Sequence, residues 1–340
     1  MRIAQIAPLF EAIPPALHGG IERVVSYLTD ALVELGHDVT LFASGDSHTT
    51  AKLEAVLPRA LRLDPDVNDP IPMHVLLLEQ VYRRARDFDV LHFHIDYYPL
   101  PLFTRQNVPF LTTVHCLPAT YEAQRIYDTF SGISLVAISN SQRASLLDAN
   151  WLSTIYHGLP VNLLTPQASP QPGYLAFLGR IAPQKQLDVA IRIALQAGMP
   201  IKIAAKIDWG QRGYFDQVIK PMLAPPHVEY IGEISEAEKA DFLGNAHALL
   251  FPAEPEPFGL VMIEAMACGI PVIAFRQGGA PEIVEDGVSG FIVDDESSAV
   301  AAVNRLHTLS RTSIRHAFET RFTSKIMAKN YVNAYEKLLR

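Results

Sequence analysis

Residues 173–206, GYLAFLGRIAPQKQLDVAIRIALQAGMPIKIAAK, decide the reading of the chain. An apolar run over 173–179 leads into a basic turn, then an amphipathic stretch (LDVAIRIALQAG), then a second apolar run over 201–206. Short apolar runs bounded by turn residues read as buried strands, and apolar residues three and four apart read as helix. Strand, helix and strand in that order form the unit of a parallel sheet covered on both faces.

The same alternation continues outward in both directions. Later strands are expected at 227–232, 246–252, 270–275 and 290–294, with AEKADFLGNA as a helix among them and helix from about 296 onward. Earlier ones are expected at 2–8, 37–43, 89–94, 109–115, 134–139 and 153–158. The clearest helix is IERVVSYLTDALVELG (21–36), whose Val24, Val25, Leu28, Ala31, Leu32 and Leu35 share a face and which Gly36 ends. Residues 46–72, with four prolines and scattered acids, read as irregular surface. LPVNLLTPQASPQPG (159–173), with four prolines and little charge, reads as an interdomain linker. The fold class is therefore α/β: two doubly wound domains joined by a hinge, with a functional site expected in the cleft where the carboxyl ends of their strands meet.

Composition narrows the function. With Lys+Arg 28 against Asp+Glu 36, the net charge of -8 excludes a protein that tracks nucleic-acid phosphates. A 49% hydrophobic, 19% charged chain of 340 residues can bury a core, so it is not disordered. Two cysteines, Cys116 and Cys268, cannot form a disulfide framework and read as buried reduced thiols of a cytoplasmic protein. No apolar run of about 18 residues spans a bilayer, which argues against stable membrane insertion. MRIAQIAPLF reads as a first strand rather than a signal peptide. Nothing in the sequence sets an oligomeric state.

Several motifs carry chemistry. Gly19–Gly20 open the first long helix, where free N–H groups and a missing Cβ suit an anion or sugar, or simply a loop and cap. Neither a G-x-G-x-x-G nor a Walker loop is present. Arg180 and Lys185, in GRIAPQK just after a strand, are placed to hold a diphosphate and to stabilise charge on a departing phosphate oxygen; solvated turn charges are the plain alternative.

The most specific stretch is EPEPFGLVMIEAMACGIPVIA (254–274). Glu256 precedes a helix whose apolar face is expected to include Phe258, Val261, Met262, Ala265 and Met266. Glu264, a carboxylate within that apolar helix, needs a partner, and ribose hydroxyls would satisfy it. A local cap and salt bridge is the alternative. Gly278–Gly279 read as a flexible turn near the cleft. His92, His94 and Asp96 alternate at period two, which raises a metal site and, against it, mere cleft residues. No second ligand cluster supports the metal, so none is expected. His115 ends a strand and is the better candidate to touch a reacting sugar.

Together these residues resemble the retaining glycosyltransferases of family 4, a resemblance running nearly end to end through GGIERVVSYLTDAL, DVLHFH, TTVH, VAISNSQ, AFLGRIAPQK, VEYIGEI, the Glu-x7-Glu block and GGAPEIVEDGVSGFIV. It implies a GT-B fold, two Rossmann-like α/β/α domains facing each other across a deep cleft. Residues 1–162 would form the acceptor side and 163–320 the donor side, with a helix in 321–340 crossing back to the first domain. It implies that Arg180 and Lys185 bind the donor's diphosphate, Glu264 the ribose, and Glu256 and His115 the transferred hexose. Gly19 and Gly20 would lie by the phosphates or acceptor, and the backbone at Ile231, Gly232 and Ile234 would cradle the base. Phe258, Gly259 and Leu260 would bring the helix N-terminus to the donor.

The implied reaction is transfer from a UDP- or GDP-sugar to a hydroxyl-bearing small molecule or saccharide, with retention and with no cofactor or obligatory metal. Gln186 stands where the family usually has Gly, which could alter helix entry. Cys116 stands where His, Asn or Asp is usual, and YHGLPVN (156–162) replaces a common Asn-Gly turn. A nucleotide-sugar 2-epimerase of the same fold and a non-catalytic binding module are the rival readings. An acidic first half, 11 Lys/Arg against 17 Asp/Glu over 1–165, favours a soluble acceptor over a phospholipid.

Overall fold

The computed structural model describes residues 1–16, 19–170 and 173–340, so Gln171 and Pro172 of the linker reading lie outside the described residues. Every paired strand is parallel. The first sheet contains β1 (Arg2–Ile6), β2 (Asp38–Ser44), β3 (Lys52–Leu57), β4 (Val90–Phe93), β5 (Phe110–Thr113), β6 (Ser134–Ala137) and β7 (Trp151–Thr154). The second contains β8 (Tyr174–Ile181), β9 (Ile201–Ile207), β10 (Val228–Gly232), β11 (Ala246–Phe251), β12 (Val272–Phe275) and β13 (Gly290–Val293).

Their orders are β3-β2-β1-β4-β5-β6-β7 and β10-β9-β8-β11-β12-β13. In each sheet the direction of strand addition reverses beside the founding strand, between β1 and β4 and between β8 and β11. Loops leaving those two strands diverge to opposite faces and leave a crevice at their carboxyl ends.

The chain divides into two compact units, Met1–Gly158 with Ser324–Arg340, and Leu159–Thr323. In the first, Ile6, Phe42, Leu77, Phe93 and Phe103 are buried against one another. The helix Gly20–Glu34 turns Val24, Val25, Leu28, Ala31 and Leu32 inward, the face its spacing predicts. The helix Ser324–Leu338 packs on it and buries Tyr331 and Tyr335. In the second unit, Leu175, Ile191, Ile203 and Leu250 share a core. Arg315 ties its first residues down, donating to the carbonyls of Val161 (2.7 Å), Leu164 (2.7 Å) and Ala267 (2.6 Å).

Three local expectations need correction. Within 46–72, Lys52–Leu57 is a strand rather than irregular surface, because β2 supplies a parallel partner in the register Thr40↔Lys52. The helix after Glu256 begins only at Leu260, so Phe258 is buried from the loop and not from the helix face. Cys116 is exposed while Cys268 is buried, and neither is in a disulfide. No helix among the described residues is long and apolar enough to cross a membrane.

Candidate active site

In the second unit the charged groups gather at the β8/β11 reversal. Arg180 is the next-to-last residue of β8, in register with Lys206, and its Nη1 donates to Asp208 Oδ2 at 3.0 Å. Lys185 closes the turn Pro183–Lys185 and forms an ion pair with Glu256. Burial, and then the neighbouring Arg180, lower the Lys185 ammonium to about 8. Gln186 enters the following helix in the left-handed region (φ 50, ψ 47), the conformation a glycine would adopt without strain. The helix entry is thus kept despite the substitution.

Backbone fixes the opposite side. Glu254 N–H donates to Gln184 O at 2.8 Å, joining the loop after β8 to the loop after β11. Gly279 N–H donates to Glu256 O at 2.8 Å, and a Cβ on Gly278 or Gly279 would run into the backbone of Glu256 and Pro257. The glycine pair is therefore a shelf pressed beneath Glu256 rather than a flexible turn.

Glu264 lies on the helix Leu260–Ala267 and is only 3% exposed. Lys239, from the helix Glu236–Gly244, donates to its Oε1 at 2.7 Å. Its other oxygen, Oε2, is buried with no hydrogen-bond partner. A buried acceptor left open is costly unless a ligand supplies a donor, and vicinal hydroxyls are such donors. Sequence reasoning missed Lys239, whose position on a polar helix carries no signal until the chain brings it back to Glu264. Ile231 is partly exposed at the carboxyl end of β10, Gly232 is left-handed (φ 83), and Ile234 precedes the capping box of Ser235 and Glu238.

In the first unit, Gly19 caps and Gly20 begins the helix Gly20–Glu34, with no side-chain cap on the N-terminal amides. His115 lies two residues past β5, 7% exposed, its Nε2 2.9 Å from His94 Nδ1 and its ring stacked on His157. Burial lowers its pKa to about 3, so it is a neutral imidazole. Asp96, left-handed at φ 49, accepts the His115 backbone N–H, and burial raises its carboxyl to about 6. Both ring nitrogens of His92 are engaged, with Tyr335 and Thr113, and those of His94 with His115 and Gln5. The period-two face of His92 and His94 is thus hydrogen-bonded interior. Among the described residues, no group of His, Cys, Asp and Glu is placed to hold a metal ion.

Of the residues singled out by sequence, the second unit brings Lys185 and Glu256 into contact, while Glu264 pairs with Lys239 instead. His115, Gly19 and Gly20 belong to the first unit.

In parallel doubly wound units, ligands bind beyond the carboxyl ends of the strands at a strand-order reversal, which is where these cations and carboxylates lie. Residues 166–321 match the family Glycosyl transferases group 1, and residues 18–162 match Glycosyltransferase Family 4. The chain belongs to these glycosyltransferases, built on the GT-B fold. Among its relatives, an uncharacterized glycosyltransferase of Methanocaldococcus jannaschii, MJ1178, is 28% identical over 62% of each chain. D-inositol 3-phosphate glycosyltransferase 2 of Catenulispora acidiphila is 31% identical over 50% of this chain. The matches span 62% and 45% of those two relatives' lengths.

The fold is similar to that of AviGT4, a glycosyltransferase involved in Avilamycin A biosynthesis (23% identity, TM-score 0.76, covering 100% of this chain and 98% of AviGT4). Sucrose-phosphate synthase of Thermosynechococcus elongatus is also similar (21% identity, TM-score 0.81, 99% of each chain). So is Anabaena HepE in complex with UDP and glucose (18% identity, TM-score 0.74, 99% of each chain).

Proposed function

We propose that this chain is a glycosyltransferase that moves a hexose-type sugar from a UDP- or GDP-sugar to a hydroxyl acceptor, with retention at the anomeric carbon. The observation that carries the reading is the charge arrangement around β8. Two cations, Arg180 and Lys185, are each balanced by a carboxylate, Asp208 and Glu256, that an entering diphosphate would replace. A largely buried ammonium with a lowered pKa gains most from a doubly charged neighbour. UDP is the favoured carrier, in keeping with HepE, which was solved with UDP and with UDP-glucose. The exposed thiol of Cys116 suits a reducing cytoplasm.

In the reaction the acceptor oxygen bonds to the anomeric carbon on the face from which the phosphate departs. The bond from that carbon to the β-phosphate oxygen breaks and its electron pair stays on the phosphate, which takes the acceptor's proton. Arg180 and Lys185 stabilise the charge that appears there. Glu264 Oε2 takes the ribose hydroxyls, with the backbone of Ile231, Gly232 and Ile234 against the base. Glu256 and His115 hold the hexose, and the Gly259–Leu260 helix entry and Gly19–Gly20 lie by the phosphates or acceptor. No metal is required, since side chains and helix ends supply the positive potential.

The test needs no knowledge of the acceptor. Purified protein is given a panel of UDP-, GDP- and ADP-sugars and slow donor hydrolysis is followed by mass spectrometry. One nucleotide and one sugar should dominate. Glu256→Ala and His115→Ala should retain nucleotide binding and lose sugar release. Wild-type release in both variants would overturn this site, and a released sugar altered at C2 would assign an epimerase.

A further inference from the structure

Seven polar side chains run through the interior of the first unit in one unbroken series. Gln5 comes from β1, His92 from β4 and His94 from just beyond it, and Thr113 and His115 from β5 and the loop after it. Tyr331 and Tyr335 come from the helix Ser324–Leu338. All are buried, and six of the seven are at most 1% exposed. Polar groups at such depth are tolerable only when each is hydrogen-bonded.

The bonds follow one another. Tyr331 Oη meets Thr113 Oγ1 at 2.9 Å, Thr113 Oγ1 meets His92 Nε2 at 2.7 Å, and His92 Nδ1 meets Tyr335 Oη at 2.7 Å. Gln5 Nε2 donates to Tyr335 Oη at 3.0 Å, and Gln5 Oε1 lies 2.8 Å from His94 Nε2. His94 Nδ1 then meets His115 Nε2 at 2.9 Å.

Six members of this series can each take either sense, because a hydroxyl or an imidazole can donate or accept. The Gln5 carboxamide alone cannot, because its nitrogen only donates and its oxygen only accepts. It therefore gives the whole series a direction. The imidazoles of His92, His94 and His115 are neutral, since burial lowers each below the usual histidine range, and a neutral ring has a single N–H. With Gln5 Oε1 as acceptor, His94 carries its proton on Nε2 and offers a lone pair at Nδ1. His115 must then donate from Nε2, which leaves its Nδ1 as a lone pair. Turning the amide over would reverse every bond and put the proton on His115 Nδ1.

We propose that Gln5, acting through His94, is a positioning residue that holds His115 as the Nε2–H tautomer, so that Nδ1 of His115 accepts a hydrogen bond from a hydroxyl of the transferred sugar. The tautomer stands on the hydrogen-bond series among neutral rings; the sugar contact rests on the reading of His115 given above. Recognition at that hydroxyl then demands a donor, and a sugar carrying fluorine there, which accepts but cannot donate, is excluded as strictly as one carrying hydrogen.

The first measurement is long-range 1H–15N NMR on histidine-labelled wild-type protein at neutral pH, with His115 assigned by substitution. A protonated Nε2 and a bare Nδ1 are expected at His115; a protonated Nδ1 overturns the proposal. Since this spectrum uses the native chain, a variant that fails to fold leaves the result standing. Gln5→Met, close in volume, should yield a mixture of His115 tautomers with UDP affinity unchanged, and an unaltered tautomer there would remove Gln5 from the role.

The second measurement compares deoxy and deoxyfluoro donors in the hydrolysis assay. At one hydroxyl both should lose rate equally, on the order of tenfold, and Gln5→Met should shrink that loss. Rate retained by the fluoro donor, at the position where the deoxy donor fails, overturns the acceptor role of Nδ1. The Nε2–H tautomer in the spectrum combined with wild-type sugar release by His115→Ala would overturn the sugar contact while leaving the tautomer intact, which separates the two failures.

Discussion

The two units carry their polar groups in opposite ways. In the first, His92, His94, His115, Gln5 and two tyrosines are buried, neutral and joined by hydrogen bonds, so their geometry is set before any ligand arrives. In the second, Arg180, Lys185, Lys239, Asp208, Glu256 and Glu264 are ionic pairs, so what is prepared there is charge. A neutral network specifies orientation and tolerates no exchange of partners. A set of balanced ion pairs can trade one carboxylate for a phosphate with little change in total charge. Under the transfer proposed above, the first arrangement serves shape recognition of a sugar and the second an anionic leaving group.

The largest effect should come from removing charge where the contrast is greatest. Arg180→Ala should lower turnover on the order of 10²-fold, the scale of one lost charge-stabilising donor. Steady-state kinetics with the donor found in the hydrolysis panel would check it. A loss confined to KM would mean that Arg180 binds the ground state and the transition state alike.

A smaller effect sharpens the contrast through pH. The Lys185 ammonium, lowered to about 8, loses its charge as pH rises through that value, and in the role proposed for it a diphosphate needs the charged form. Nucleotide affinity should therefore fall about tenfold between pH 7 and pH 9. Lys185→Arg, which stays charged, should flatten the profile in isothermal titration. An equal fall in that variant would place the titrating group elsewhere.

The smallest effect is on stability. Gln186 holds a left-handed backbone at φ 50, so Gln186→Gly should stabilise the protein by about 1 kcal/mol. Urea unfolding should show a raised midpoint with an unchanged slope; a lowered midpoint would mean that the Gln186 side chain makes good its strain.

What sequence could show follows the same division. The Gly20–Glu34 and Leu187–Gln196 helices and most strands were legible because their apolar spacing is local. β3 was not: KLEAVL is half-exposed at a sheet edge, and what makes it a strand is its pairing with β2. Glu264 was legible as an acid out of place among apolar neighbours, whereas Lys239 looked like any charge on a polar helix until tertiary structure joined the two. His92 and His94 were visible as a pair on one face. Their partners Tyr335 and Gln5 lie far off in the chain, so the period-two pattern raised a metal site or cleft residues and gave no sign of a hydrogen-bonded interior.

The first unit is assembled from two separated stretches, and Tyr331 and Tyr335 reach its interior from the second of them. Synthesis on a ribosome is vectorial, so all of Leu159–Thr323 emerges between Gly158 and those tyrosines. At about 5–20 residues per second that interval is roughly ten to thirty-five seconds. During it, the second unit has its complete sequence and can fold, while His92 and Gln5 of the first wait without the Tyr335 hydroxyl that both of them meet. The unit begun first is completed last, and a nascent chain stalled before Ser324 should display a finished second unit and, in the first, an unfinished histidine interior.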